Sequence, residues 1–224
     1  MEYDEGASPV TQNDIKLCCV GPRMANTPNE LDRSYPTVIG VDYGPINSEA
    51  SYTVISCVQM RGDIAHVLFA KKFIGKEASY AFIHKEIPRI MGVWGSNHLA
   101  ADYGMGEASN SEIRNNIGFD KVVAFQHLPT QKEKIRWNPK MPAYTLNRNQ
   151  VLGGFFDRIK KGRIIFPKYE DFEPYAHDIM NVQLDFDEER NTVKYVNIGP
   201  DDFVHATVFA LISLELFYGI GQSF

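Results

Sequence analysis

The chain has 224 residues, of which 44% are hydrophobic, and its formal net charge is −5. This length suits one sizeable domain that folds by burying apolar side chains, and no run approaches the roughly 18–20 apolar residues of a membrane span. Three cysteines, two of them adjacent, indicate neither a disulfide framework nor a zinc site, and the acidic N-terminus is unlike a signal peptide. The simplest interpretation is a reduced, cytosolic protein.

Residues 1–36 are predicted to form a tail or linker, because they contain four prolines and short polar runs with little periodicity. A short apolar patch, Leu17 to Val20, is expected to dock on the body. The body, residues 37–224, opens with three β-rich stretches joined by short connections, namely TVIGVDYG, SYTVISCVQMRG and DIAHVLFAKKFIG. These stretches predict an antiparallel meander.

The rest of the body alternates helices with strands. A helix is predicted for EASYAFIHKEIPRIMGVW, with a disturbance near Pro88. Three short strands follow, HLAAD, KVVAFQHL and RIIFP. They are separated by a polar helix or helical turn over EASNSEIRNNIG and by a helix over NRNQVLGGFFDRIKKG. A helix over YEDFEPYAHDIMN and a hairpin of VQLDF with TVKYV then precede an apolar final helix. Its core stripe is predicted to be Phe203, Ala206, Ala210, Leu214 and Phe217. This order is that of an α/β, RNase H-like fold, in which helices flank a mixed central sheet.

Acidic residues stand where three of these elements begin or end. Asp42 lies inside the first apolar strand, Asp102 closes HLAAD, and the pair Asp201 and Asp202 opens the last helix. A carboxylate in an apolar strand is costly to bury without a compensating charge, and neither strand offers a basic neighbour. Two divalent cations, Mg²⁺ or Mn²⁺, would supply that charge and suit phosphodiester hydrolysis. We predict that Asp42 bridges the two ions and that Asp102 and Asp202 flank it.

Each acidic position also has a purely structural explanation. Asp201 or Asp202 could cap the last helix, and Asp102 could be a turn residue at a strand end. Asp42 is the hardest to explain in this way, because its strand is otherwise apolar. All three positions nevertheless fall where one fold would bring them together.

Histidine residues give a weaker signal. His205 follows Asp202 by three residues and therefore lies on the same side of the helix. It could be a ligand, a proton carrier or a partner of a ligand, or an ordinary helix histidine. His98 and His127 have no informative spacing and are assigned structural roles.

Four stretches resemble the nuclease domain of the large terminase subunit of tailed bacteriophages: VIGVDYG, HLAADYG, YTLNRNQVLGGFFDRIKKGRIIFP and PDDFVHATVFAL. The last is the most specific, because an Asp-Asp pair before a His-Ala helix start is typical of that family. The resemblance covers residues 37 to about 218. It implies a two-metal endonuclease that cuts concatemeric viral double-stranded DNA during packaging, in the cytoplasm of the infected bacterium. It also implies that Asp42, Asp102 and Asp202 bind metal, with Asp201 as an auxiliary ligand.

A large terminase also carries a packaging ATPase domain and works with a small terminase subunit and a portal. This chain has no G-x-x-x-x-G-K-[ST] phosphate loop. The resemblance therefore implies an isolated nuclease domain, with residues 1–36 holding the linker from the ATPase domain.

The net charge conceals a strong asymmetry. From Lys121 to Lys168 there are eleven Lys or Arg and two acids, which give +9, so the remainder of the chain carries −14. A basic face beside an acidic pocket suits an enzyme that acts on a polyanion, although a solvated lysine-rich face is the alternative. The residues expected to contact DNA phosphates, with little reading of sequence, are Lys132, Lys134, Arg136, Lys140, Arg148, Lys160, Lys161 and Arg163.

Three other interpretations remain open. A junction resolvase or a transposase shares strand-borne acids and metal ions, but differs in the last helix. A sugar kinase- or actin-like ATPase has a similar first strand, but its motif continues with Thr or Ser where Pro45 stands here. A non-catalytic DNA-binding module would use the aspartates as caps and turns only, and metal dependence of cleavage would separate it from a nuclease.

Overall fold

A computed structural model of the protein describes residues 8–28, 33–45, 51–128, 131–187 and 192–219. Within these ranges the strands are β1 (Thr37–Asp42), β2 (Thr53–Arg61), β3 (Ile64–Phe73), β4 (His98–Asp102), β5 (Val122–His127), β6 (Ile135–Asn138), β7 (Ala143–Leu146), β8 (Ile164–Ile165), β9 (Val182–Asp187) and β10 (Thr192–Asn197). The α-helices are α1 (Gln12–Cys18), α2 (Tyr80–Trp94), α3 (Glu107–Ile117), α4 (Arg148–Lys160), α5 (Tyr169–Met180) and α6 (Asp202–Tyr218).

Eight of these strands form a mixed sheet in the order β6-β7-β5-β4-β1-β2-β3-β8. The meander β1-β2-β3 is antiparallel, as predicted. Strands β1, β4, β5 and β7 run parallel to one another. Helix α2 precedes β4 and helix α3 precedes β5, whereas the antiparallel strand β6 lies between β5 and β7 in the sequence. The predicted late hairpin is also present, as a separate two-stranded sheet of β9 and β10.

Helices cover both faces of the large sheet. Side chains alternate along a strand, so Val38 of β1 packs in one core cluster with α4, α5 and α6, whereas Ile39 and Val41 pack in another with α2. This arrangement confirms the predicted α/β architecture with helices on each side of a mixed sheet. Among the described residues, no helix is long and apolar enough to cross a membrane.

Helix α6 lies directly against β1. A Cβ atom at Gly40 would come 1.7 Å from the carbonyl oxygen of Ala206, so the close approach requires glycine at this position. The predicted stripe is buried from Phe203 to Leu214, but Phe217 is 44% exposed, because it lies in the last turn and stacks on His98 at the surface.

The N-terminal segment packs on the body, and the predicted patch from Leu17 to Val20 contributes only its inner residues, Cys18 and Cys19. In α1, Ile15 and Cys18 are buried and Leu17 is 68% exposed, and just after the helix Val20 is 71% exposed. Helical spacing explains this difference, since residues three apart share a face. Just beyond α1, the Gly21 amide donates to the carbonyl of Phe166 at 2.9 Å, so the segment also covers the sheet edge next to β8.

Two further differences from the sequence prediction are local. Helix α2 continues through Pro88, because buried residues on both sides, Ile87 and Ile90, hold it against the sheet. Strands β6 and β7 were not predicted. Each is only four residues long. β6 places Trp137 at the surface and has no buried alternating pattern, whereas β7 is largely buried but too short to be identified from its sequence.

Candidate metal centre at the end of the parallel strands

Two aspartates lie side by side at the carboxyl ends of β1 and β4. The parallel register pairs Val41 with Ala101, so the residues that follow, Asp42 and Asp102, are neighbours. The alternation of each strand directs both side chains to the face that α6 covers, the face on which Ala100 packs. The two strands therefore bring two carboxylates together at the beginning of α6.

Asp202, the first residue of α6, is held by the residues that lead into β2. The Ser51 hydroxyl donates to Asp202 Oδ1 at 2.6 Å, and the Tyr52 amide donates to Oδ2 at 3.4 Å. Asp202 is buried. Burial raises its pKa, and the Ser51 hydrogen bond offsets part of that increase.

Among Asp42, Asp102 and Asp202, Asp42 has the least favourable environment for a negative charge. Burial raises its pKa well above the usual value, and the negative charges of Asp102, Asp202 and Asp201 raise it further. Burial also raises the pKa of Asp102, although backbone amides, including that of Met105 at 2.9 Å, partly stabilise its charge. A carboxylate that faces other carboxylates in a buried site is the environment that a bound cation relieves.

Asp201 has a different environment, because the protein itself supplies its counter-charge. Its Oδ2 accepts from His205 Nε2 at 3.0 Å and from Arg148 Nη2 at 3.2 Å, and its Oδ1 accepts from Asn197 Nδ2 at 3.4 Å. Burial raises the pKa of Asp201, but the His205 hydrogen bond and the Arg148 charge outweigh it, and the net pKa is lowered. Asp201 occupies the N-cap position of α6, yet its side chain makes no capping hydrogen bond.

His127 lies at the candidate site, although its spacing in the sequence predicted only a structural role. Its Nε2 lies 3.0 Å from Nδ1 of His205, and its own Nδ1 is buried without a hydrogen-bond partner among the described residues. Burial lowers the pKa of His127 well below its usual value. His127 ends β5, the next parallel strand after β4, and alternates with buried Phe125. Asp102 was identified as a polar residue at the end of an apolar strand, and the same criterion could have identified His127.

Asp178 of α5 is a second residue that sequence reasoning missed. Its Oδ2 accepts from the Phe203 amide at 3.1 Å, and its Oδ1 accepts from the Tyr52 hydroxyl at 2.5 Å and from Lys72 Nζ at 2.9 Å. Only 2% of Asp178 is exposed. One signal was available: Asp178 lies three residues after Tyr175, on the buried side of α5, where an acid is unexpected.

The donor atoms fit a hard divalent cation. The described residues contain no ready-made group of three Asp, Glu, His or Cys side chains that could hold a metal ion. Mg²⁺, however, is usually held by one or two carboxylates, with water and phosphate oxygens completing its coordination. Asp42, Asp102 and Asp202 provide carboxylate oxygens of that kind. The charged groups that shift the pKa of Asp42 are all carboxylates.

The basic residues predicted to contact DNA do not form one surface. Lys132, Arg136 and Lys140 are exposed on or beside β6. Lys134 instead pairs with Glu215 at 2.6 Å, and Arg148 is bound to Asp201.

The remaining three predicted contacts lie at the opposite end of the sheet. Arg163 pairs with Asp63 in the β2–β3 turn, at 3.9 Å, and that turn is near the start of β1. Lys160 and Lys161 belong to the same region at the end of α4. The +9 segment therefore spans both ends of the molecule, and only part of it is near Asp42.

Comparison with solved structures shows which fold this is. The chain is similar to the large terminase nuclease of the thermophilic phage G20c, with a TM-score of 0.64 and 15% identity over 92% of this chain and 98% of that one. It is similar to the human cytomegalovirus terminase nuclease domain, with a TM-score of 0.58 and 14% identity over 94% and 97% of the two chains. The fold is thus RNase H-like. More narrowly, it is the fold of large terminase nuclease domains.

A longer protein also matches. Against the HK97 bacteriophage large terminase, the TM-score is 0.61 at 14% identity, over 92% of this chain but 43% of that one. Two structures of the G20c nuclease contain bound cobalt and bound zinc, and one cytomegalovirus structure was soaked with manganese. No family model and no curated protein sequence matches the chain.

Proposed function

We propose that the protein is a metal-dependent endonuclease that hydrolyses phosphodiester bonds of double-stranded DNA and cuts concatemeric viral DNA during genome packaging. The observation that carries this proposal is the meeting of Asp42, Asp102 and Asp202 at the start of α6. Asp42 is surrounded there by negative charge, which raises its pKa well above the usual value. Such a site is unfavourable by itself and becomes favourable when cations bind.

Three residues are assigned as metal ligands. Asp42, in the central strand, would hold two divalent cations together with Asp102 and Asp202. Bound Mg²⁺ or Mn²⁺ would activate a water molecule and stabilise the leaving oxygen of the phosphodiester. The cobalt and zinc bound in two structural neighbours, and the manganese soak of a third, support a divalent requirement.

Asp201 and His205 are assigned a supporting role. Both oxygens of Asp201 accept hydrogen bonds from the protein, and both ring nitrogens of His205 have partners. We therefore place Asp201 as an auxiliary group that orients His205 beside the reacting phosphate. Because both of its ring nitrogens are engaged, His205 would pass a proton or its orienting effect through Asp201 and His127.

DNA would approach the site from the side of β6. Lys132, Arg136 and Lys140 are exposed and are assigned phosphate contacts, whereas Lys134 and Arg148 are held in ion pairs. Phosphate contacts fix position and read little sequence, so we expect weak sequence specificity. In the virus, the nuclease would act with a packaging ATPase domain, a small terminase subunit and a portal in the host cytoplasm, as the match to part of the HK97 large terminase supports.

Cleavage of supercoiled plasmid tests the proposal. We expect nicking and linearisation with Mg²⁺ or Mn²⁺ and none with EDTA. A four-way junction of the same base composition is the control substrate. Cutting of the junction at the expense of linear duplex would favour the junction-resolvase alternative, and a metal-independent result would overturn the proposal.

A further inference from the structure

A buried acidic residue other than the four aspartates of the candidate metal centre contacts the first turn of α6. Asp178 belongs to α5, and its carboxylate accepts hydrogen bonds from three separate parts of the chain. The ammonium group of Lys72 provides the compensating charge, and it also donates to the carbonyl of Pro174 at 2.9 Å. Burying an ion pair costs free energy, so we looked for neighbouring groups that this pair holds in position.

The first link runs to the helix backbone. The opening amides of a helix need acceptors, and an Asp at the N-cap usually provides one. Asp201 occupies that position but makes no such bond, since it is engaged with Arg148 and His205. Asp178 accepts from the Phe203 amide instead, at 3.1 Å. A residue from another helix thus caps α6 and leaves the Asp-Asp pair for other contacts.

The second link runs through Tyr52. The hydroxyl of Tyr52 donates to Asp178 at 2.5 Å, while the amide of the same residue donates to Asp202 at 3.4 Å. Ser51, its neighbour, donates to the other oxygen of Asp202 at 2.6 Å. Fixing the Tyr52 ring therefore also fixes the backbone that orients the Asp202 carboxylate.

We propose that Asp178 is a positioning residue for the metal-binding carboxylate of Asp202, acting through the Phe203 amide and through Tyr52. This inference rests on the proposed metal-dependent nuclease function. It assigns Asp178 no contact with metal or DNA. Its effect is to hold Asp202 in one orientation before a cation arrives.

The test measures Mn²⁺ affinity by calorimetry and, in the metal-free protein, hydrogen exchange at the Phe203 amide. Asp178→Ala should weaken Mn²⁺ binding about tenfold, the lower range for losing a partner that orients a ligand, and should speed exchange at Phe203. Asp178→Asn keeps an acceptor for the amide and should recover slow exchange and most of the affinity. Asp171→Ala is the matched control, because Asp171 lies on the same helix but accepts from Met24 instead.

The possible outcomes separate the inference from the proposed function. If folded Asp178→Ala binds Mn²⁺ like the wild type, the positioning role is refuted. If Asp178→Ala does not fold, Tyr52→Phe removes the hydroxyl that contacts both Asp178 and Lys72. Unchanged Mn²⁺ affinity in that variant refutes the link through Tyr52, by which Asp178 would orient the Asp202 carboxylate. Absence of Mn²⁺ binding in the wild type contradicts the proposed function, and exchange at Phe203 then reports on the capping contact alone.

Discussion

His205 of α6 and His127 of β5 lie with their ring nitrogens 3.0 Å apart, and this contact joins the last helix to a strand 78 residues earlier. Together with the bond from His205 to Asp201, it forms a chain of three side chains at the edge of the candidate metal centre. His127 also packs its ring against Phe209, with centroids 5.3 Å apart. The imidazole ring of His205 is therefore held by His127 through one nitrogen and by Asp201 through the other.

We expect His127→Phe to slow DNA cleavage about tenfold while leaving thermal stability nearly unchanged. Phenylalanine keeps the ring packing against Phe209 but cannot hydrogen-bond to His205, and loss of such an orienting partner typically costs 10–100-fold in activity. Single-turnover cleavage with Mn²⁺ measures the rate. His98→Phe is the control, because His98 stacks on Phe217 away from the site. Equal rates for the two variants would remove His127 from the mechanism.

Gly40→Ala should destabilise the protein by about 1–3 kcal/mol or more, because the added methyl meets the Ala206 carbonyl at 1.7 Å and forces α6 away from β1. Urea unfolding measures this change. Gly154→Ala is matched to it, since a Cβ there meets nothing within 4 Å and helical Gly→Ala replacement stabilises by roughly 0.5–1 kcal/mol. A stable Gly40→Ala protein would mean that α6 does not approach β1 as closely as described.

The adjacent aspartates at the start of α6 should respond differently to the loss of charge. Asp202→Asn should abolish most Mn²⁺ binding, because Asp202 is assigned as a ligand. Asp201→Asn should mainly lower the cleavage rate, because Asp201 orients His205 and pairs with Arg148. Calorimetry and single-turnover rates on both variants distinguish the roles. The opposite ranking of Mn²⁺ affinities would exchange the two assignments.

DNA binding should depend on the part of the +9 segment that lies near β6, and not on the part at the end of α4. Each phosphate contact contributes about 0.9 to the slope of log affinity against log salt. Lys132→Ala and Arg136→Ala should therefore each reduce that slope by about one. Lys160→Ala and Lys161→Ala should leave it unchanged, since both lie at the far end of the sheet. Fluorescence anisotropy in EDTA, in which we expect no cleavage, gives the slopes. Equal effects from both pairs would indicate a DNA path along the whole molecule.

Strand patterns gave much of the fold and part of the site. Asp42 and Asp102 were predictable because each is a charged residue at the end of an apolar strand, and parallel strands place such ends side by side. The β1-β2-β3 meander and the β9-β10 hairpin were predictable from short connections between β-rich stretches. These features depend on residues that are close in sequence or on simple alternation.

Contacts between distant elements could not be predicted in the same way. The capping of α6 by Asp178 depends on how α5 packs beside it, which no local pattern encodes. The exposure of Leu17, in place of docking, depends on the helical phase of α1. Charge along the chain likewise did not reveal that Lys160 and Lys132 lie at different ends of the sheet.

Plasmid cleavage by Asp42→Ala beside Asp63→Ala decides whether Asp42 belongs to a catalytic centre. Asp63 is an exposed aspartate in the β2–β3 turn, at the opposite end of the sheet from Asp42. With Mn²⁺ present, we expect cleavage to be lost in folded Asp42→Ala and to persist in Asp63→Ala. In EDTA, we expect no cleavage by the wild type or by Asp63→Ala. Cleavage by folded Asp42→Ala at the wild-type rate would mean that Asp42, Asp102 and Asp202 do not form the catalytic centre.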